Sequence, residues 1–342
     1  MLAPLIRKLI AHEDLTSDEA SAAMAEIMAG RATPALTAAF LVGLAMKGER
    51  PEELVGLARA MRDEAVSFST SGLEVFDTCG TGGDRIGTFN ISTAAALVIA
   101  ACGVPVAKHG NRSVSSLCGS ADVFEALGVQ VTASRAAVER CLREAGIAFL
   151  FAPTFHPSMR HAAPTRRELG VRTAFNLLGP LTNPARPRRQ LVGVPRPEYA
   201  ELLARALQLL GSERAWVVHG ADGIDEISLA GYTKVAECRE GTVRTFYLHP
   251  SDFGLSKAPV ASLVGGDAAA NAAIVRRVLD GEPGPARDVV LLNAAAGLFV
   301  AGRVSSFHEG VTAAADAIDS GRARARLEAL VAASHAAEGE PA

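Results

Sequence analysis

Aromatic side chains are scarce: one Trp, three Tyr and 13 Phe make up 5% of the 342 residues. Stacked rings cannot dominate the interior, and the 49% of apolar residues lean on Ala and other small side chains that suit close helix packing. Cysteine is sparse as well. Cys79, Cys102, Cys118, Cys141 and Cys238 are scattered, odd in number and never form a CxxC pair, which argues against a disulfide framework or zinc site and suits a reducing compartment. Neither sign of charge prevails, with 34 basic and 37 acidic residues for a net −3, so the basic excess of a nucleic-acid binder is missing. No apolar run reaches the roughly 18 residues of a membrane span, and "STAAALVIAACGVPVA" falls short. The opening "MLAPLIRKLIAHEDLTSDEA" meets charge too early for a secretory h-region. A soluble, cytoplasmic protein is expected, with neither nucleic acid nor membrane as partner.

What is present falls into two parts. The first 65 residues read as helices only. Thr16 with Glu19 has the spacing of a capping box, and Thr33-Pro34 and Arg50-Pro51 mark further helix starts with proline in the first turn. Between them "LTAAFLVGLAMKG" is apolar nearly all round, which predicts a helix buried within a small bundle. From about Leu73, short apolar runs ("LEVFDT", "VPVAKH", "IAFLFAP", "RQLVGV", "RAWVVHG") alternate with helical stretches, implying βαβ units and a mainly parallel sheet. A hairpin is expected to turn near Glu240-Gly241, after which the chain returns to helix. The expected fold is α/β: a small all-helical N-terminal domain (1–68), then a larger α/β domain (73–335) whose mainly parallel central sheet is flanked by helices. The boundary falls in "AVSFSTSG", near 66–72. A helical segment near 160–185 is expected to join the first domain, with "NLLGPLTNP" packing between the two.

Three loops, each leaving a strand, carry the chemistry. "DTCGTGGDRIGTFNIST" (77–93) places Gly80, Gly82 and Gly83 where backbone N–H groups could approach an anion, ahead of a helix N-terminus that adds further donors. Thr88, Asn90, Ser92 and Thr93 supply more polar groups. The stretch is neither a P-loop nor G-x-G-x-x-G, since Arg85 takes the sixth position, and a tight strand-to-helix connection is the alternative. "AKHGNRSVSSLCGSADVFEALG" gathers Lys108, His109, Asn111, Arg112, Ser113, Ser115 and Ser116, a density of cations and hydroxyls that suits a pyrophosphate or else a polar surface loop. "VVHGADGIDEISLAG" offers adjacent Asp225 and Glu226, which could serve Mg²⁺ or simply form a solvated acidic turn. In an open parallel sheet the strand C-termini line one crevice, so the loops would face each other and form a site for a Mg²⁺-complexed phosphorylated substrate.

"GTGGDRIGTFNIST", "KHGNRSVSS" followed by "GSADVFEALG", "NLLGPLTNP" and "DGIDEISL" resemble the anthranilate phosphoribosyltransferases of tryptophan biosynthesis, and the similarity covers nearly the whole chain. The resemblance implies transfer of phosphoribose from 5-phosphoribosyl-1-pyrophosphate (PRPP) to the amine of anthranilate. It implies that Gly80, Gly83, Asp84, Thr88, Asn90, Ile91, Ser92, Thr93, Lys108, His109, Gly110, Asn111, Arg112, Ser113, Val114, Ser115, Ser116 and Ser120 hold the donor. Ser92, Asp225 and Glu226 would serve Mg²⁺, and Gly80, Asn111 and Arg166 would meet anthranilate, with Arg167 the rival for its carboxylate. A homodimer is implied, and no general base is assigned. His109 and His156 stay outside the catalytic set. Leu117 and Cys118 depart from the polar residues more usual there. A nucleoside phosphorylase, or a phosphoribosyltransferase for another aromatic acceptor, is the nearest alternative. A non-catalytic nucleic-acid-binding relative is a more distant one.

Overall fold

The computed structural model describes residues 2–113 and 117–336. Its first four helices are α1 (Leu2–Ile10), α2 (Ser17–Met28), α3 (Pro34–Lys47) and α4 (Pro51–Asp63). At the start of α2 the Glu19 N–H donates to Thr16 Oγ1 at 3.2 Å while the Thr16 N–H donates to Glu19 Oε2 at 3.0 Å, so two otherwise orphaned donors satisfy each other's side chains. Thr33 caps α3 by accepting from the Leu36 N–H at 3.3 Å. The start of α4 leans instead on Glu53, a fully buried carboxylate that accepts from the N–H groups of Arg50 and Leu15, each at 2.8 Å, and pairs with Lys47 at 3.0 Å. A carboxylate so far from water needs that many partners.

The expectation that α3 is buried all round is wrong. It buries Thr37, Phe40, Leu41 and Leu44, but Ala35, Ala39 and Ala45 are exposed and Met46 is 76% exposed. The bundle is one layer too thin to cover both sides of that helix. An apolar sequence reports what a helix tolerates around it, not what one chain can supply.

The second region runs β1 (Phe76–Gly80), α5 (Ile91–Ala101), β2 (Val106–Gly110), α6 (Ser120–Ala126), α7 (Arg135–Ala145) and β3 (Ile147–Phe151). The short helices α8 (Ala152–Phe155), α9 (Ala163–Leu169) and α10 (Phe175–Leu178) then lead to β4 (Arg189–Gly193), α11 (Glu198–Leu209), β5 (Arg214–Gly220), β6 (Thr233–Arg239) and β7 (Thr242–Leu248). Four helices close the chain: α12 (Ala268–Leu279), α13 (Pro285–Val300), α14 (Phe307–Asp319) and α15 (Arg322–His335). The sheet order is β3-β2-β1-β4-β5-β6-β7, parallel from β3 to β5 and antiparallel thereafter. Glu240 and Gly241 make the β6–β7 turn with φ of 50° and 73°, the left-handed pair that a two-residue hairpin turn requires.

Alternation along the strands divides the interior in two. Leu191, Trp216, Val218 and Val235 join a core with α5, α7, α13, α14 and α15. Val192, Val217, Ala236 and Cys238 join another that contains α11, α10 and the N-terminal helices. The helical region is thus bonded through apolar packing to one face of the sheet. Among the described residues no helix is long and apolar enough to cross a membrane.

Candidate active site

Strand order positions the site. From β1 the chain moves outward to β2 and β3, then returns to β4 on the other side, so the loops leaving β1 and β4 diverge and open a crevice at their C-terminal ends. The glycine-rich loop leaves β1 there. Gly82, Gly83, Arg85 and Gly87 all have φ between 60° and 87°, which curls the backbone so that successive N–H groups can converge on an anion. A Cβ on Gly82 would meet nothing within 4 Å, so open space lies beside this turn. Gly80 is glycine for a different reason: a Cβ would stand 2.7 Å from Asp225 Oδ2.

The acidic loop after β5 comes directly against this turn. The Gly82 N–H donates to Asp225 Oδ2 at 3.1 Å, and the Ser92 N–H, in the first turn of α5, donates to Glu226 Oε1 at 3.1 Å. A carboxylate at that helix end is favoured by the dipole. Buried Asn293 of α13 holds the loop in place, its side chain bonding both the N–H and the carbonyl of Ile227 at 3.0 Å. Burial first, and then neighbouring Asp84, pushes the Asp225 carboxyl up to about 7; burial and then Asp225 push Glu226 up to about 8. Crowded carboxyl groups that share so few donors are short of positive charge. Hard oxygen ligands, only one or two of them from protein, are what Mg²⁺ accepts, so the donor set fits that ion.

Lys108 reaches the same place from β2. Its ammonium is buried, donates to the Thr78 carbonyl and to Ser92 Oγ (3.2 Å for the latter), and is pushed to lower pKa by burial against the opposing pull of Asp77. Asp77 is buried beneath it and accepts from the His109 N–H at 3.2 Å and Asn183 Nδ2 at 2.8 Å. Gly80, Asp84, Ser92, Lys108, Asp225 and Glu226 are therefore gathered at one end of the sheet. Ile91 and Thr93 lie there too, their side chains in the interior and their N–H groups donated to the Phe89 and Asn90 carbonyls at 2.7 and 3.1 Å.

Other expected residues have other occupations. Asn90 Oδ1 accepts from Asn271 at 3.0 Å, and its Nδ2 donates to the Cys118 carbonyl at 3.4 Å. Thr88 bridges to Val264. Arg112 is committed to Asp122 at 2.9 Å and Glu125 at 2.8 Å on the surface. Asp122 also accepts from the Ser113 N–H at 3.1 Å. Asn111 turns its side chain onto the Arg112 N–H at 2.8 Å, while its carbonyl takes the Ser120 hydroxyl at 3.4 Å. Gly110 is needed because a Cβ would fall 2.1 Å from Ser120 Oγ. Val114, Ser115 and Ser116 lie outside the described residues. Leu117 is exposed, and the Cys118 thiol is directed at the Gly119 carbonyl at 3.5 Å.

Arg166 stands on α9, half-buried, its guanidinium 4.7 Å above the Phe175 ring, and burial lowers its pKa. No carboxylate pairs with it among the described residues, whereas Arg167 is exposed. His109 and His156 lie ring beside ring at 5.3 Å. Four residues escaped sequence reading: Asp77, Arg172, Asn183 and Asn271. Asp77, Arg172 and Asn183 fell within stretches already singled out, but none of the four had a local pattern to mark it.

The chain matches the helical bundle domain of the glycosyl transferase family over residues 3–65 and the family's a/b domain over residues 72–324. Fold and crevice together define a glycosyl transferase with a separate helical bundle. An anthranilate phosphoribosyltransferase of Moorella thermoacetica is 55% identical over 332 residues, covering 97% of this chain and 98% of that protein. The crystal structure of the Thermus thermophilus anthranilate phosphoribosyltransferase superposes with a TM-score of 0.91 at 47% identity, covering 97% of this chain and 99% of the other. The Saccharomyces cerevisiae enzyme in complex with PRPP and Mg gives 0.88 at 28% identity and 97% of each chain; it has also been solved with 4-fluoroanthranilate. This chain belongs to the anthranilate phosphoribosyltransferase family.

Proposed function

We propose that this chain transfers the 5-phosphoribosyl group of PRPP to the amine of anthranilate, giving N-(5-phosphoribosyl)anthranilate and pyrophosphate, the second step of the tryptophan branch. The observation that carries this reading is the apposition of the glycine turn and the acidic pair, Gly82 to Asp225 and Ser92 to Glu226, in a chain of this family. Mg²⁺, held by Asp225 and Glu226 near Ser92, would spread the charge of the departing pyrophosphate. The turn's N–H groups and Lys108 would hold and orient the donor, and stabilise charge that builds as the ribosyl centre becomes oxocarbenium-like. Anthranilate's aromatic amine is neutral near pH 7, so positioning serves where a strong base would otherwise be needed. Arg166, half-buried and without a carboxylate partner among the described residues, is suited to the acceptor's carboxylate through its planar fork.

Two finer features belong to the same reading. None of the five cysteines forms a disulfide among the described residues, as suits a reducing cytoplasm. The exposed apolar side of α3, next to α1 with its 71% exposed Ile10, supports a homodimer formed through the helical region.

The test is the loss of anthranilate fluorescence on adding PRPP, with and without Mg²⁺. Decay is expected only with Mg²⁺, and it should be largely lost in the Asp225→Asn, Glu226→Gln double variant. No decay from folded wild-type protein that binds PRPP would reject anthranilate as acceptor.

A further inference from the structure

Arg172 lies between α9 and α10, beyond every motif quoted above. Its Nη1 donates to the Gly82 carbonyl at 2.9 Å and its Nη2 to the Thr81 carbonyl at 3.4 Å. A Cβ on Gly83 would fall 1.8 Å from that Nη1, so the guanidinium fills the space where a side chain would stand. Gly82 is thereby held from both ends, its N–H by Asp225 and its carbonyl by Arg172.

We propose that Arg172 is a positioning residue for donor binding, a clamp that keeps the glycine turn in its anion-receptive form. The inference rests on the reading of the crevice given above. A turn rich in glycine gains its N–H cradle at the cost of freedom, because each peptide can rotate and exchange its N–H for its carbonyl. A cation bonded to two successive carbonyls opposes that rotation, since turning either peptide would break a charge-assisted bond. The guanidinium fork reaches both carbonyls at once, which one ammonium donor does less well.

The experiment compares Arg172→Ala and Arg172→Lys with wild type in two ways. Hydrogen exchange in ligand-free protein is followed over the peptide containing Gly80–Asp84, and steady-state KM values are measured for each substrate. Arg172→Ala should exchange faster in that peptide. It should also raise the PRPP KM about 10- to 100-fold, the range for losing a hydrogen bond to a charged group, with the anthranilate KM at saturating PRPP changed no more than about twofold. Arg172→Lys should fall between the two on both readouts. Unchanged exchange would overturn the clamp, as would an anthranilate KM that rises as much as the donor's. Inactive wild-type protein would sink the proposed reaction instead, while the ligand-free exchange would still decide the clamp.

Discussion

His109 and His156 sit buried at 7% and 5% exposure, and each has an Nε2 atom with no hydrogen-bond partner among the described residues. Burial drives both imidazoles toward neutrality, His109 down to about 3 and His156 down to about 4. In the unfolded chain both would titrate near 6.5. As pH falls through that value the unfolded state takes up protons that the native state refuses, so stability drops with decreasing pH until the folded values are reached. Between pH 7 and pH 5 each ring should remove on the order of 2 kcal/mol, from about 1.5 pH units at 1.36 kcal/mol per unit. Denaturant unfolding of wild type and His156→Gln at pH 7, 6 and 5 checks this. The difference between the two proteins should change by roughly that amount over the interval. Parallel pH profiles would mean that His156 is not held neutral.

At the scale of elements, the strand–loop–helix units that carry the site were legible because period, turn residues and caps are local properties. The reciprocal Thr16–Glu19 cap and the Glu240-Gly241 turn are examples. Beyond the meeting of loops at the strand C-termini, which follows from a parallel sheet, contacts between remote segments were not, since no local pattern encodes them. The segment from Leu263 to Gly266 is such a case: it runs antiparallel along the glycine-rich loop, with the Phe89 N–H on the Leu263 carbonyl at 3.0 Å and the Gly265 N–H on the Gly87 carbonyl at 2.8 Å. Asn271 ties this strap to the loop, accepting from the Gly266 N–H at 2.7 Å and donating to Asn90. Gly265 leaves no room, because a Cβ would meet Asn271 Oδ1 at 2.3 Å and Phe89 Cα at 2.8 Å. Gly265→Ala must therefore push the strap off the loop, at about 1–3 kcal/mol by the usual penalty for overpacking. A lowered denaturant midpoint together with a raised PRPP KM is expected. A normal midpoint would show that the strap yields without strain, and a normal KM that it has no hold on the donor's cradle.

On the scale of the whole molecule, the apolar character of α3 was visible in the sequence, but its surroundings were not. One chain covers Phe40, Leu41 and Leu44 and leaves Met46 76% exposed, beside an α1 whose Ile10 is 71% exposed. The two helices touch where Gly43 lies 3.3 Å from the Cβ of Leu9, measured from the position a Cβ would take, so their outer sides belong to neighbouring surfaces. Large apolar side chains on adjoining helices keep an energetic reason to meet a second copy, because area removed from water is worth about 25 cal/mol per Å². A self-complementary contact about a two-fold axis would use each exposed side chain twice, so two substitutions per chain place four charges in it. Sedimentation equilibrium should give wild type twice the 35.5 kDa of one chain. Ile10→Glu with Met46→Glu should sediment as one chain with the helix content unchanged, since neither side chain contributes to the buried core. A double variant that stays dimeric would place the interface elsewhere, and a monomeric wild type would remove the homodimer altogether.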